Sequence, residues 1–547
     1  MCTAAVVALV VGGRPTIGSQ GDVAPAPSGD EAEVVVSMEP LMAASDCAST
    51  FEPMELAHTT RASDAPARLF DSNGSGAAVD DLDGDGLPDI VLGNLEGPNT
   101  ILWNEGGFRF TREEMRDRST RSVNLVDVDA DGALDIVTTH RGAGVAVFRN
   151  LGDRRFEQLR LRGVGAAAYS MSWADLDVDG DLDLATASYD AELDQHVGDG
   201  YLFSDGAGVY LYERDGDGFD AARLATDSQG LVTAFDDLDR DGRPDLFVGN
   251  DFSVKDLVWR NAEGGLEPIT PFTRSAAHPM SFDTGDVDGD GVDEIFVTDM
   301  RPATTDTERL AEWIPLMSTM NELDNPTSAQ KVRNVLHVAL GDGTFRDDAE
   351  RAGVDAAGWA WSARFGDLDD DGDVDLHVVN GMIAAETFHY LPNAEIVEPN
   401  IAFENRGDGS FGIADWGLGA LGSGRGSVLA DLDLDGRLDV VVNNLDSPAM
   451  AFRNRLCGGG AMTFSLRHPG SGNTHAIGAT VTVIAGDRRF VRTVRTGGGY
   501  LSGSPSAVHI GLGDVDDADR AEIRWPDGSV SIVDAPSAGQ HYEVTRQ

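Results

Sequence analysis

The chain is 547 residues long, with 41 Lys and Arg against 93 Asp and Glu and a formal net charge of −52. That acidity excludes nucleic acid and anionic membrane as partners, because both are polyanions. The length admits several ordinary domains, or one repeat array with a small domain beside it.

In chain order, the apolar run from Ala4 to Val11 is too short to span a membrane and about the size of a signal-peptide core, although no basic residues precede it. Residues 13–46 are rich in Gly, Pro, Ala, Ser and acid and read as a flexible tether, so 1–46 is expected to be a signal-like segment and tether. No stretch reads as a transmembrane segment.

From residue 81 one nine-residue phrase recurs seven times, with carboxylates at positions 1, 3, 5 and 9. Alternating carboxylates in a tight turn aim their oxygens at one centre, and a Gly at position 6 allows the reversal that brings the carbonyl of position 7 inward. Hard oxygen ligands without nitrogen or sulfur favour Ca2+. The expected ligand sets are Asp81, Asp83, Asp85, Leu87 and Asp89; Asp127, Asp129, Asp131, Ala133 and Asp135; Asp175, Asp177, Asp179, Asp181 and Asp183; and Asp237, Asp239, Asp241, Arg243 and Asp245. The remaining three are Asp286, Asp288, Asp290, Val292 and Glu294; Asp367, Asp369, Asp371, Asp373 and Asp375; and Asp431, Asp433, Asp435, Arg437 and Asp439. Leu87 and its equivalents enter through their backbone carbonyls. The fifth set ends in Glu294 beside Asp293, which predicts an altered geometry.

A single Asp-Gly copy would read equally well as a hairpin turn. Seven with the same offsets do not: two carboxylates about 4 Å apart repel by roughly 4 kcal/mol at an effective dielectric of about 20, so four converging on one point demand a cation. Up to seven Ca2+ are expected, and low-affinity loops of this kind suit millimolar external calcium. The protein is therefore expected outside the cytoplasm, secreted or periplasmic. Seven bound ions would add +14 and leave −38, a solvated acidic surface.

An EF-hand needs a twelve-residue loop and a following helix. Here position 9 opens β-branched runs such as Asp89-Ile90-Val91 and Asp439-Val440-Val441, so each loop joins two strands. Loop starts lie 46, 48, 62, 49, 81 and 64 residues apart, and the shortest interval fits four short strands with turns, a propeller blade. The turn between the third and fourth strands has its own signature, as in Asn104 to Phe108, Asn150 to Phe156, Gly341 to Phe345 and Asn405 to Phe411.

Aspartate loops combined with these turns resemble FG-GAP (VCBS-type) repeats, the blades of integrin α-subunit propellers. Residues 456–547 carry Ala476-Ile477-Gly478-Ala479, Gly497-Gly498-Gly499-Tyr500 and Trp525-Pro526-Asp527-Gly528, which resembles the ASPIC/UnbV domain. The order of the two modules is similar to that of the cartilage acidic protein family and its bacterial relatives, with Asn473-Thr474-His475 departing from the usual Asn-Arg. The expected fold is all-β: a seven-bladed propeller over 47–455 and a small antiparallel β domain over 456–547. Independently, alternating apolar residues over 463–468, 478–485, 489–495, 508–512 and 520–525 predict strands, with the Gly-Gly-Gly-Tyr and Trp-Pro-Asp-Gly stretches as tight turns over a packed aromatic.

Counting strands predicts how the ring closes. The seventh repeat ends after its third strand, and Phe51–Leu56 resembles the missing fourth. Cys47 and Cys457 then fall where the last turn of that blade belongs, which predicts a disulfide.

Long insertions at about 189–209, 301–333 and 381–400 all follow the second strand of a blade, which puts them on the face opposite the loops. Glu308–Ile314 reads as a short helix broken near Pro315. Trp313, Met317 and Met320 there suit rim packing or an adaptable contact surface, packing being the simpler reading. Trp359 and Trp361, two apart on a strand, should point the same way and wedge adjacent blades or stack beside the axis. No catalytic motif is present, and His196 and His389 read as surface histidines. The expected function is a monomeric calcium-binding interaction or adhesion protein whose insertion face meets a protein or glycan. The alternative is a calcium-dependent enzyme acting on a small molecule in the channel.

Overall fold

Each aspartate loop joins the first two of four consecutive antiparallel strands in the computed structural model, which describes residues 31–42, 47–62, 67–198, 206–252, 254–320 and 328–547. The apolar run 4–11 and most of the expected tether lie outside the described residues. Blade 1 runs Ala77–Asp80, Asp89–Leu92, Pro98–Asn104 and Phe110–Arg118, and five more four-strand arrays of this order follow it, the second blade's sheet extended by Ser502–Gly503 and Gly497–Gly498 and the sixth's by Met300–Arg301. The seventh takes Gly424–Ala430, Asp439–Asn444 and Pro448–Asn454 from the end of the repeats and Phe51–Thr59 from their beginning, with Phe51 opposite Asn454. The inner strand Ala77–Asp80 touches those of blades 2 and 7, which closes the ring. Its neighbour Asp89–Leu92 is buried along its whole length, as a continuous β-branched run requires.

The expected disulfide forms: Cys47 bonds Cys457 with a Cα–Cα separation of 4.9 Å. A second closure comes from the asparagine that ends the third strand. Asn104 donates its amide to the Leu432 carbonyl of blade 7 at 2.8 Å, and Asn150, Asn261, Asn405 and Asn454 each reach the loop of the preceding blade in the same way. The turn signature read in the sequence is thus a latch between blades.

The C-terminal domain is two four-stranded sheets around Phe464, Val483, Ile523 and Trp525. It departs from the expectation in two ways. Gly460–Arg467 pairs with Gln540–Arg546 in parallel, so the domain is not purely antiparallel. Val34–Pro40, inside the stretch expected to be tether, is a strand paired antiparallel with Gln540–Arg546. The N-terminal segment therefore ties the last strand of the chain before it crosses to the disulfide.

The Gly-Gly-Gly-Tyr stretch makes the expected tight turn, closing the hairpin of Gly497–Gly498 and Ser502–Gly503 over a buried Tyr500, but the turn does not lie on the surface. It is a finger inserted along the propeller axis, where Ser502 bridges to Val123 of blade 2 and Gly499 to Phe282 of blade 5. Its tip, Tyr500, is fully buried and lies 4.8 Å from the ring of Trp361. Trp361 and Trp359 diverge because a β-bulge interrupts the register between Ala360 and Ser362. Trp361 meets the axis, with Arg425 of blade 7 over its ring, while Trp359 packs on Trp313 and Phe388 under the insertions.

The insertions lie where strand direction places them, after the second strands of blades 3, 5 and 6. Their helix spans Thr307–Met320 and continues through Pro315 rather than breaking there. Trp313 is buried, and its indole donates to Glu398 at 3.2 Å, so packing is its role. Met317 is partly exposed, and the Met320 side chain lies outside the described residues.

Candidate metal centres

The seven loops share one backbone. The N–H of position 6 donates to the carboxylate of position 1 in every copy, from Gly86 to Asp81 at 2.9 Å through Gly436 to Asp431 at 2.7 Å. That glycine is left-handed throughout, with φ between 86° at Gly291 and 99° at Gly372, which is why no other residue serves well there. Position 4 is left-handed too, a feature the carboxylate pattern did not disclose. Ala130, Val178, Arg240, Asp370 and Leu434 occupy it with φ of 56° to 62°, a strained conformation for residues with a Cβ.

Position 9 does two jobs. One oxygen accepts the N–H of position 2 at 2.9–3.1 Å in all seven copies. In Asp89, Asp135, Asp183, Asp245, Asp375 and Asp439 the other oxygen accepts an N–H from the end of the third strand. Glu294, one methylene longer, makes only the first bond, and its Oε1 is buried without a hydrogen-bond partner. The altered copy thus differs at the position the sequence marked.

The carboxylates converge. Ligand oxygens of Asp81, Asp83 and Asp85 lie within 4.8 Å of one another, as do those of Asp127, Asp129 and Asp135, of Asp175, Asp177 and Asp179, of Asp237, Asp239 and Asp245, and of Asp286, Asp288 and Asp290. Position 5 is also occupied in shaping the turn: Asp85, Asp131, Asp179, Asp241, Asp371 and Asp435 each accept the N–H of position 7, namely Leu87, Ala133, Asp181, Arg243, Asp373 and Arg437.

A cation fits this donor set. Asp175 Oδ1 and Asp286 Oδ1 are buried with no hydrogen-bond partner, although their second oxygens are bonded. Burial first, and neighbouring carboxylates second, push Asp89, Asp135, Asp183, Asp245, Asp369 and Asp431 up to about 7. A cation beside such acids would offset the cost of burying their charge, and an all-oxygen set suits a hard divalent ion.

The FG-GAP-like repeat family matches residues 81–138, 127–186 and 237–297, and the ASPIC and UnbV family matches 469–547. The chain carries FG-GAP-like repeats and a C-terminal ASPIC/UnbV domain. No match is found among curated proteins. Among solved structures the chain is similar to BBS1N in its complex with ARL6DN, at 10% identity over 74% of this chain and 95% of that one, with a TM-score of 0.41. The Vibrio cholerae (V. cholerae) biofilm matrix protein Bap1 is similar at 12% identity over 90% and 64%, with a TM-score of 0.32. The Xanthomonas campestris gluconolactonase XC5397 follows at 14% over 65% and 96%, with a TM-score of 0.32.

The ASPIC/UnbV domain sits on the loop face. Thr474 donates to Asp127 in the second loop, Asn473 donates its N–H to the Gly180 carbonyl in the third at 2.8 Å, and Arg495 pairs with Asp293 at 2.8 Å in the fifth. His509 meets Asp370 of the sixth at 3.1 Å and the Gly436 carbonyl of the seventh at 2.8 Å. Residues from two domains therefore frame the same carboxylate clusters. Of the histidines singled out in the sequence, His196 lies on the insertion helix Asp190–Val197, and His389 is exposed beside the Glu386 carbonyl.

Proposed function

We propose that this is an exported, calcium-binding adhesion-type protein, with Ca2+ holding the loop face rigid and the insertion face meeting a protein or glycan partner. The observation that carries the calcium reading is the set of buried carboxylate oxygens without partners, such as Asp175 Oδ1 and Asp286 Oδ1, inside clusters of convergent aspartates. The residues that would hold the ion are those at positions 1, 3, 5 and 9, with the position 7 carbonyl. Bound calcium would neutralise them and lock the loops that the ASPIC/UnbV domain grips.

The insertion face is the surface left for a partner, because the ASPIC/UnbV domain covers the other. Its parts are tied together: Tyr390 donates to the Glu312 carbonyl at 2.7 Å, joining the insertion of blade 6 to that of blade 5. Ile314, 61% exposed, projects from this surface with Met317 and Tyr390. The disulfide supports an oxidising compartment, hence a secreted or periplasmic location. The channel-enzyme alternative is less favoured, since the finger occupies the axis where such a substrate would sit.

Metal analysis of protein dialysed against millimolar Ca2+ tests the first half. Several ions per chain, up to one per loop, are expected; fewer than one per chain overturns the calcium reading. Ile314→Glu together with Met317→Glu tests the second half, since neither change should shift the melting temperature while both should weaken partner capture.

A further inference from the structure

Between the ASPIC/UnbV domain and the loops of blades 1 and 7 lies a cavity of about 560 Å³, within the ~300–1,000 Å³ range of small-molecule sites. Its roof is one face of the sheet containing Val34–Pro40, Gln540–Arg546 and Gly460–Arg467. Period-two alternation sends Met462, Phe464 and Leu466 into the domain core and turns Thr463, Ser465 and Arg467 to the cavity. The register sets Ser37, Glu543 and Ser465 in one row across three strands, and Glu39, His541 and Thr463 in the next. A sheet face turned toward another domain is ordinarily apolar. This one is polar: Thr463 and Ser465 are buried, Ser37, Glu39 and Glu543 are exposed, and the Thr463–His541 hydrogen bond at 2.8 Å is the only one between these six side chains among the described residues.

The wall carries acids as well as bases, Asp80, Asp81, Asp283 and Asp431 among them. Acids outnumber bases by 93 to 41, yet Arg467 and Arg492, both lining the cavity, form no ion pair among the described residues. Each donates to the carbonyl of its own preceding residue, Arg467 to Leu466 at 3.2 Å and Arg492 to Val491 at 2.8 Å. Arg492 Nη2 is buried with no partner. The acids nearest Arg492 in charge are Asp286, Asp367 and Asp373, all loop carboxylates that calcium would neutralise, while Arg467 acts on the buried Asp80 carboxylate of the cavity wall.

We propose that this cavity binds an acidic saccharide of one or two rings. Arg467 and Arg492 take its carboxylate, Ser37 and Ser465 exchange hydrogen bonds with its hydroxyls, and Glu39 and Glu543 accept from them. A guanidinium matches a carboxylate in shape and charge, and hydroxyl-rich ligands suit a surface of mixed donors and acceptors. The Arg492 part of the argument rests on the calcium reading; the roof and Arg467 do not.

Calorimetric titration of the full-length, disulfide-bonded protein in calcium tests this, using D-glucuronate, D-galacturonate and a diuronate, with glucose, acetate and inorganic phosphate as controls. Saturable uronate binding is expected, with glucose, acetate and phosphate each at least tenfold weaker. Arg467→Gln and Ser465→Ala should each weaken uronate binding about tenfold with the melting temperature unchanged. No saturable uronate binding, equal binding of acetate or phosphate, or uronate binding indifferent to both variants would overturn the assignment. Metal content measured on the same sample separates failure of this site from failure of the calcium reading.

Discussion

The hydroxyl of Tyr500, carried by the ASPIC/UnbV domain, lies 2.6 Å from that of Tyr169 in the propeller, and the N–H of Gly74 donates to it at 2.9 Å. One residue of the C-terminal domain thus ends its reach through the axis beneath the insertions, joined to blade 3 and to the segment leading into blade 1. Tyr500→Phe should cost about 1–3 kcal/mol, because it strands buried donors, and Tyr500→Ala about 3–5 kcal/mol by loss of packing. Trp361 beside it reports the change, so both variants should alter tryptophan fluorescence. Native spectra and melting in Tyr500→Ala would show that the finger is not a packed element.

Chelation should lower the melting temperature substantially. A site at a hundredfold excess of calcium over its dissociation constant adds about 2.7 kcal/mol, provided the unfolded chain binds little. Asp129→Ala disables one loop and should lower the midpoint less than chelator does. Coincident melting curves with and without chelator would dismiss calcium.

Reduction should loosen the ring where its two ends meet. Cys47 and Cys457 are 410 residues apart, and closing so long a loop contributes up to about 6 kcal/mol in the chain-entropy model. The double variant Cys47→Ser, Cys457→Ser should melt lower than the oxidised protein and match the reduced one. Free thiols at both positions in peptide maps of exported protein would reject the bond.

His278 supplies a pH dependence away from the metal loops. Its burial would depress it, but Asp299, in contact at 3.3 Å, outweighs that and, with Asp251 adding, raises it to about 9. Asp251 also accepts the Tyr189 hydroxyl at 2.6 Å. A pKa raised above the unfolded value of about 6.5 gives stability that is full below that pH and lost as pH climbs through about 9. The melting-temperature gap between the native protein and His278→Gln should therefore be widest near pH 6 and close toward pH 10. A gap that widens with pH would reverse the assignment.

Much of this molecule is legible in its amino acids because its signals are local. A glycine at position 6 is dictated by one backbone angle, and carboxylates at fixed offsets converge because a nine-residue turn has little freedom. Counting strands was enough to send Phe51–Leu56 to the last blade and to pair Cys47 with Cys457, since a closed ring leaves no other place for a missing strand. The asparagine after each third strand was visible, but its partner was not, because that partner sits in another blade.

What only the tertiary structure decided are the contacts made across hundreds of residues. Val34–Pro40 follows a Gly- and Pro-rich stretch and acquires its strand from Gln540–Arg546 at the far end of the chain. The three glycines before Tyr500 form a turn, and two of them are also needed for passage: a Cβ on Gly498 would collide with the Arg364 guanidinium and one on Gly499 with the Ser362 hydroxyl, as one on Gly76 of the propeller would with the Leu501 carbonyl. Clearance of that kind depends on which backbone lies opposite. No spacing within the Gly-Gly-Gly-Tyr stretch records that the opposite backbone is the wall of the propeller.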